Sequence, residues 1–231
     1  MLQRVLEPEV MDSDEDAREY DAMDHATVNT RFVTDLLAVL GTDSPVRILD
    51  LGAGTAQIPI ELCRRAPRVQ VTAVDAAESM LTLAHANVAA AGLVDRIELV
   101  HADAKVLAAT QFDAVISNSI VHHIAEPRTV IGTAICLTAP GGLLFHRDLA
   151  RPRDESQLEN LVAAYAGEAT PYQRKLFADS LRAALTIDEV RELVAEFDFS
   201  PETVQMTSDR HWTWSATRTL LELAMQQRRD V

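Results

Sequence analysis

Hydrophobic residues between positions 46 and 149 form short continuous runs that alternate with stretches of helical spacing. The runs read VRILDL, VQVTAVD, RIELVHAD, FDAVISN and LLFHRDL. Between them, apolar residues recur every three or four positions, as at Ile58, Leu62 and Ala66. Continuous apolar runs are typical of strands buried on both faces, so the alternation predicts a parallel sheet covered by helices on both sides.

The residues before the first run have a helical pattern. Apolar side chains recur at helical spacing through residues 27–40. The S-x-x-D sequence that starts at Ser13 is typical of a helix N-terminus. We therefore predict that residues 1–40 form an N-terminal helical lid, followed by the core at residues 41–151.

The pattern changes again after the fifth run. Residues 152–185 are polar and helical and are predicted to be an insertion. Residues 186–231 predict a helix, two edge strands in ETVQMTS and HWTW that pair as a hairpin, and a C-terminal helix from residue 215. The whole pattern predicts one α/β domain, a Rossmann-like doubly wound sheet of about seven mostly parallel strands with a late antiparallel hairpin.

The loop after the first predicted strand has the composition of a nucleotide-binding loop. It reads Gly52-Ala53-Gly54-Thr55, and glycines let a ligand approach the backbone closely. A dinucleotide fingerprint would have a third small residue at position 57, but this chain has Gln57. The loop therefore disfavours NAD and FAD.

Carboxylates end three successive predicted strands. Asp50 closes the first strand, Asp75 the second and Asp103 the third. Three acids at one edge of a sheet would repel a pyrophosphate, but they suit a ligand with a ribose, an adenine and a positive charge. S-adenosylmethionine is such a ligand.

Five segments in this order resemble the class I S-adenosylmethionine-dependent methyltransferases, in particular the small-molecule branch that includes the ubiquinone- and menaquinone-biosynthesis type. The segments are ILDLGAGTAQIPI, VTAVDAAESML, VHADAKVL, FDAVISNSIVHHI and LTAPGGLLFHRDL. The resemblance implies S-adenosylmethionine as cofactor. It also implies that residues in and after the strand ends contact this cofactor, namely Asp50, Gly52, Ala53, Gly54, Asp75, Ala76, Met80, Asp103, Ala104 and Asn118.

The resemblance also implies a role for most of these residues. Asp75 would hold the ribose, with Ala76 and Met80 beside the adenine. Asp103 and Ala104 would meet the adenine edge.

The other end of the cofactor is assigned in the same way. The loop glycines would lie under its methionine part, and Asp50 would orient the loop or the cofactor amine. Asn118 would face the methyl-transfer site.

Four further side chains are candidates for catalysis or substrate contact: His122, His123, Arg147 and Tyr20. The His pair either packs against the next helix or takes part in acid–base chemistry, and no metal is expected because no third ligand is evident. Arg147 either pairs with Asp148 or binds a substrate anion. Tyr20 either reaches the cofactor carboxylate from the lid or stays exposed.

The acceptor pocket is expected under the insertion at residues 152–185. Its candidate lining residues are Tyr165, Tyr172, Arg174 and Phe177. Nothing in these residues identifies the atom that is methylated.

Composition narrows the range of partners. The chain of 231 residues carries a net charge of −14, which disfavours nucleic acid as a partner. Cys63 and Cys136 are predicted to be buried in a reducing compartment. The sequence has no signal peptide and no apolar run long enough to cross a membrane, so we expect a cytoplasmic protein. The oligomeric state stays open.

The predicted function is methyl transfer from S-adenosylmethionine to a small-molecule acceptor. Methylation of RNA or protein is one alternative, and a non-catalytic S-adenosylmethionine-binding protein is another. Methylation of a planar amine is disfavoured because Asn118-Ser119-Ile120-Val121 stands where an Asn/Asp-Pro-Pro-aromatic motif would be expected.

Overall fold

The computed structural model describes residues 2–7, 13–21, 26–40 and 46–219, without the side chains of Asp14, Asp16 and Tyr20. The candidate Tyr20 therefore lies in a described helix, but its side chain is outside the described part. The C-terminal helix predicted from residue 215 falls mostly outside the described residues, and its first residues belong to a strand instead.

Eight helices flank the sheet in the described part of the chain. Their bounds are α1 Asp14–Asp21, α2 Ala26–Leu40, α3 Gln57–Arg65, α4 Glu78–Ala90, α5 Pro127–Leu137, α6 Glu155–Ala166, α7 Pro171–Ala183 and α8 Ile187–Ala195.

Seven strands and two short 3₁₀ turns complete the fold within the same residues. The strands are β1 Val46–Leu51, β2 Val69–Asp75, β3 Ile97–His101, β4 Phe112–Asn118, β5 Thr138–Leu149, β6 Val204–Met206 and β7 His211–Thr217. The turns are Val121–His123 and Pro201–Thr203.

The seven strands form one sheet in the order β3-β2-β1-β4-β5-β7-β6. Strands β1 to β5 are parallel, whereas β7 runs antiparallel to both β5 and β6. This confirms the predicted fold class and the late hairpin at the sheet edge. The strand order reverses between β1 and β4, and in open α/β sheets a ligand crevice lies at that point.

Apolar side chains cover both faces of the sheet. Leu49 and Leu51 of β1 belong to one buried cluster, whereas Ile48 belongs to another. Successive residues of a strand point to opposite faces, so a continuous apolar run serves both layers. The described helices include none that is long and apolar enough to cross a membrane.

One expectation about a cysteine and one about the N-terminal segment are wrong. Cys63 is buried as predicted, but Cys136 is exposed on α5. Residues 2–7 do not form part of a helical lid. They form an extended segment, the N-terminal strap, in which the Leu2 amide donates to the carbonyl of Arg153 and the Val5 amide to that of Arg182.

The expected ion pair between Arg147 and Asp148 is also absent, because neighbouring residues of β5 face opposite sides of the sheet. The Arg147 guanidinium is buried, lies 2.7 Å from an oxygen of Asp35 on α2 and donates to the Thr213 hydroxyl at 2.8 Å. The Asp148 carboxylate instead bonds His122 on the other face. Arg147 therefore fastens α2 to the sheet.

We expect Arg147→Met to lower the free energy of unfolding by about 2 kcal/mol, which is about 4–8 °C in Tm. The loss is smaller than for a fully buried pair because Asp35 is partly exposed and keeps Arg31 as a partner. Thermal unfolding measures this change, with the exposed Arg31→Met as the matched control. A substrate role for Arg147 would instead appear as lost turnover in a variant of unchanged stability.

Candidate cofactor and acceptor site

A crevice opens at the carboxyl ends of β1, β2 and β4, at the point where the strand order reverses. It holds about 800 Å³ of empty space, part of it open to solvent. Eight of the ten predicted cofactor residues line it: Gly52, Gly54, Asp75, Ala76, Met80, Asp103, Ala104 and Asn118. The structure thus brings them together, and their individual contacts with a cofactor stay predictions.

The floor of the crevice is a bend that requires glycine. Gly52 has a φ of 74° and Gly54 a φ of 54°, a region that side chains disfavour. A Cβ atom on Gly52 would lie 2.6 Å from Cδ1 of Ile120. The bend also crosses over β2, because the amides of Gly52 and Ala53 both donate to the carbonyl of Val74.

The Asp75 carboxylate joins this bend to the next helix. One oxygen accepts from the Gly54 amide at 2.7 Å, and the other accepts from the Ala77 amide at 2.9 Å, just before α4. Burial raises the pKa of Asp75, although the amide hydrogen bonds oppose this shift. The carboxylate has lone pairs left at the crevice wall, as a ribose ligand requires.

Asp103 has a partner that the sequence analysis missed. Its carboxylate accepts from the Lys105 amide at 2.8 Å and lies 3.3 Å from the Lys105 ammonium. Lys105 also lines the crevice. The Lys105 ammonium offsets the negative charge of Asp103 at the predicted adenine end. In the sequence, the only indication of this pair is that Lys105 follows Asp103 by two positions.

A smaller pocket of about 350 Å³ adjoins the crevice and holds the remaining two cofactor candidates, Asp50 and Ala53. Thr55 Oγ1 and Asn118 Oδ1 are buried there without a hydrogen-bond partner among the described residues. Buried polar atoms without partners are rare in folded proteins. Their position therefore fits a polar ligand, such as the amino acid part of S-adenosylmethionine.

Asp50 supplies the charge of this smaller pocket. Burial and the nearby Asp75 raise its pKa to about 7. A cationic ammonium placed beside this carboxylate would favour its ionised form. The residues present therefore fit an adenosyl cofactor with a positively charged amino acid part.

The lid helix α1 docks beside the smaller pocket. Asp21 accepts from the Gln57 amide at 3.0 Å and from the Asn87 amide at 3.2 Å, while Ala17 packs with Ala77 and Met80. Gln57, which departs from the dinucleotide pattern, thus attaches helix α1 through Asp21.

The two histidines have different surroundings. His123 lines the crevice, whereas His122 is buried behind it with Nδ1 at 2.5 Å from Asp148. Burial lowers the pKa of His122, but the carboxylates of Asp148 and Glu7 outweigh this effect and hold the pKa above its usual value. His122 is therefore packed behind the crevice, whereas His123 stays the candidate for acid–base chemistry.

Glu7 is the functional candidate that the sequence analysis did not find. Its Oε1 atom lies 3.1 Å from His123 Nδ1 and 3.4 Å from His122 Nε2. The expectation of no metal was based on the lack of a third ligand, and Glu7 removes that reason. Because more than a hundred residues separate it from the His pair, no local pattern indicated the contact.

The other acceptor candidates lie away from the crevice. Tyr165, Tyr172 and Arg174 are exposed, and the Tyr165 hydroxyl donates to Asp209 at the β6–β7 turn. Phe177 packs in a small core between α6 and α7. Among the described residues, the insertion thus does not reach the crevice with any of these four side chains.

Comparisons with known proteins agree with this geometry. A family model described as a methyltransferase domain matches residues 48–142, which span β1 to the early part of β5. An uncharacterized methyltransferase of Mycobacterium tuberculosis is 35% identical over 122 residues, covering 52% of this chain and 57% of that protein.

Two relatives with named substrates point in different directions. The ubiquinone biosynthesis O-methyltransferase of Dinoroseobacter shibae is 28% identical over 156 residues, or 68% of this chain and 60% of that protein. The tRNA 5-carboxymethoxyuridine methyltransferase of Escherichia coli is 30% identical over 115 residues, or 48% and 43%. The expectation against nucleic acid therefore finds no support among the relatives.

Solved structures share the fold over most of the chain. A putative S-adenosylmethionine-dependent methyltransferase of Methanococcus maripaludis superposes with a TM-score of 0.72 at 15% identity, covering 93% of this chain and 97% of that one. The plantazolicin methyltransferase BpumL, solved with S-adenosylhomocysteine, gives 0.64 at 15% identity, covering 88% and 89%.

The sheet order and the glycine bend with its strand-end acids agree with the match at residues 48–142. The structure has the fold of S-adenosylmethionine-dependent methyltransferases, and residues 48–142 match the methyltransferase-domain family. The chain spans about 60% of the length of the curated relatives it matches first.

We expect the affinity for S-adenosylhomocysteine to rise about tenfold from pH 6 to pH 8. The pKa of Asp50 is about 7, so the carboxylate is mostly neutral at pH 6 and mostly charged at pH 8, and only the charged form attracts the ligand's ammonium group. Calorimetry at both pH values measures the effect. Asp50→Asn should bind weakly and equally at both, and the same slope in that variant would show that another group titrates.

Proposed function

We propose that this protein transfers the methyl group of S-adenosylmethionine to a hydroxyl oxygen of a small-molecule acceptor. The observation that carries the proposal is the arrangement of the crevice. Strand-end acids and the glycine bend line it together with His123, and Glu7 and His122 lie next to His123 outside the lining.

S-adenosylmethionine supplies an activated methyl group when it is bound. The task left to the protein is to position the acceptor in line with that group and to exclude water. Asn118, Ile120 and His123 all line the crevice, and the acceptor would approach beside them. Helix α1, whose Asp21 accepts from Gln57 beside the smaller pocket, would serve as the lid that excludes water on the cofactor side.

The cluster at the acceptor end favours oxygen as the nucleophile. A hydroxyl is protonated at neutral pH, so its methylation requires a group that removes or displaces the proton. Among the crevice-lining residues, His123 offers this group, with Glu7 at 3.1 Å behind it. The relation to a ubiquinone biosynthesis O-methyltransferase supports the same acceptor chemistry.

An RNA acceptor is the second candidate, favoured by the relation to a tRNA methyltransferase. Against it stands the net charge of −14, because such a surface repels a phosphate backbone. The two candidates therefore differ in their expected salt dependence as well as in their substrate.

The first experiment exposes the protein to S-adenosylmethionine with a labelled methyl group, together with either fractionated small metabolites or bulk tRNA. We expect base-stable label on a hydroxylated small molecule and none on tRNA. The Asp50→Asn variant, which should bind cofactor poorly, controls for contaminating activity. Label found only in tRNA would replace this proposal by the second candidate.

We further expect His123→Gln to lower kcat at least about 100-fold on the acceptor so identified, the usual effect of losing a group that manages the acceptor proton. The affinity for S-adenosylhomocysteine should change less than about threefold, because the acids at the other end remain. The matched control is His85→Gln, an exposed histidine on α4. Unchanged kcat in His123→Gln would remove His123 from the chemistry.

A further inference from the structure

Three side chains from two distant parts of the chain direct ligand atoms toward one point at the acceptor end of the crevice. Glu7 belongs to the N-terminal strap, and His122 and His123 form the 3₁₀ turn after β4. The three ligand atoms all lie within 4.8 Å of one another. We propose that Glu7, His122 and His123 bind a divalent transition-metal cation of the Zn²⁺ type.

The spacing of the ligand atoms fits such an ion. Zn²⁺ binds His nitrogen and carboxylate oxygen at about 2.0–2.2 Å, which places neighbouring ligands of a tetrahedron about 3.4 Å apart. Oε1 of Glu7 lies 3.4 Å from Nε2 of His122 and 3.1 Å from Nδ1 of His123. Two imidazoles and one carboxylate also form the usual donor set of a site that keeps a position open for water or substrate.

Asp148 is the hydrogen-bond partner of one of the proposed ligands, His122. Its carboxylate lies 2.5 Å from Nδ1 of His122 and also accepts the backbone amide of that residue at 3.1 Å. An Nδ1 proton donated to Asp148 leaves the lone pair of Nε2 directed toward Glu7. Histidine ligands of metals almost always have such a carboxylate or carbonyl partner, which fixes the tautomer and the ring orientation.

The N-terminal strap holds Glu7 in place. The Arg4 guanidinium donates to the carbonyls of His122, Ile124 and Ala183 at 2.7–3.3 Å. The Ser180 hydroxyl donates to Oε2 of Glu7 at 3.4 Å, and Oε1 is the oxygen that faces the two histidines. A ligand pinned in this way loses little conformational entropy when an ion binds.

The charges around the cluster also favour a dication. Glu7 and Asp148 contribute two negative charges beside the site, and both side chains are largely buried, with 12% and 1% of their surface exposed. Buried carboxylates are stable only when they are paired or coordinate a cation. Arg4 lies nearby, but its donors are directed to neutral carbonyls. Asp148 is already paired with His122, so a dication would chiefly balance Glu7.

The position of the cluster suggests what the ion does, and this step depends on the proposed function. His123 lines the crevice, so an open coordination position next to it would face the acceptor. A hydroxyl oxygen bound to the ion there would lose its proton to water more easily, since a bound dication stabilises the alkoxide or phenolate. His123 would then displace the proton as a ligand of the ion rather than accept it as a base. The Glu7–His122–His123 cluster would thus select acceptors with an oxygen that can coordinate a metal.

The test uses Co²⁺ as the probe, because it takes Zn²⁺ sites and absorbs visible light when imidazole and carboxylate bind it. The full chain is first stripped of metal with a chelator and then titrated with Co²⁺. We expect one Co²⁺ per chain and visible absorption bands that one equivalent of Zn²⁺ abolishes. This readout requires neither acceptor nor turnover, so it stays meaningful if the proposed function fails.

Variants locate the ion. Glu7→Gln and His123→Gln should lower the Co²⁺ affinity at least about tenfold, and Asp148→Asn should lower it about 10–100-fold by releasing the His122 ring. The matched controls are Glu15→Gln on α1 and His85→Gln on α4, both exposed, which should bind like the unchanged chain. Thermal unfolding of each variant without metal identifies any loss that comes from misfolding.

Two results would overturn the proposal. One is the absence of Co²⁺ absorption in the unchanged, folded chain. The other is binding of equal strength in the unchanged chain and in the folded variants Glu7→Gln and His123→Gln, which would place the ion elsewhere. In either case the cluster would be an ion-paired group, with Glu7 beside both histidines.

Discussion

The contact on which the crevice depends is the one between the Asp75 carboxylate and the backbone on either side of it. Its two oxygens take the amides of Gly54 and Ala77, so one side chain fixes both the glycine bend and the start of α4. Hydrogen bonds to a charged acceptor are about twice as strong as neutral ones. Burial and the same carboxylate raise the pKa of Asp50, so Asp75 influences the charge of the smaller pocket as well as that of the crevice.

The N-terminal region is attached to the rest of the molecule at two separate places. Helix α1 is attached near the smaller pocket through Asp21 and Gln57, whereas the strap is attached near the His pair through Arg4 and Glu7. A polar side chain at position 57 is unfavourable for a pyrophosphate but useful for holding a lid. The same residue, Gln57, therefore departs from the dinucleotide pattern and attaches helix α1.

Local patterns predicted the sheet, the late hairpin, the glycine bend and the strand-end acids, whereas the family resemblance implied the other residues that line the crevice. Local patterns failed where long-range packing decides. The partner of Arg147 is Asp35 because residues 147 and 148 face opposite sides of β5. The sequence shows that two residues are neighbours, but it does not show which face of the sheet each side chain takes. Glu7 was missed for a related reason, since its neighbours are more than a hundred positions away.

The acids of the crevice have a further consequence for the order of events. Asp50 and Asp75 face a ligand whose sulfur is positively charged before methyl transfer and neutral afterwards. Coulomb attraction in a partly buried site is several times stronger than in water, so these carboxylates hold the charged form more tightly than the neutral one. Lys105 limits this effect at the Asp103 end. We therefore expect this crevice to bind S-adenosylmethionine more tightly than S-adenosylhomocysteine, with Asp50 and Asp75 rather than Asp103 responsible for the difference.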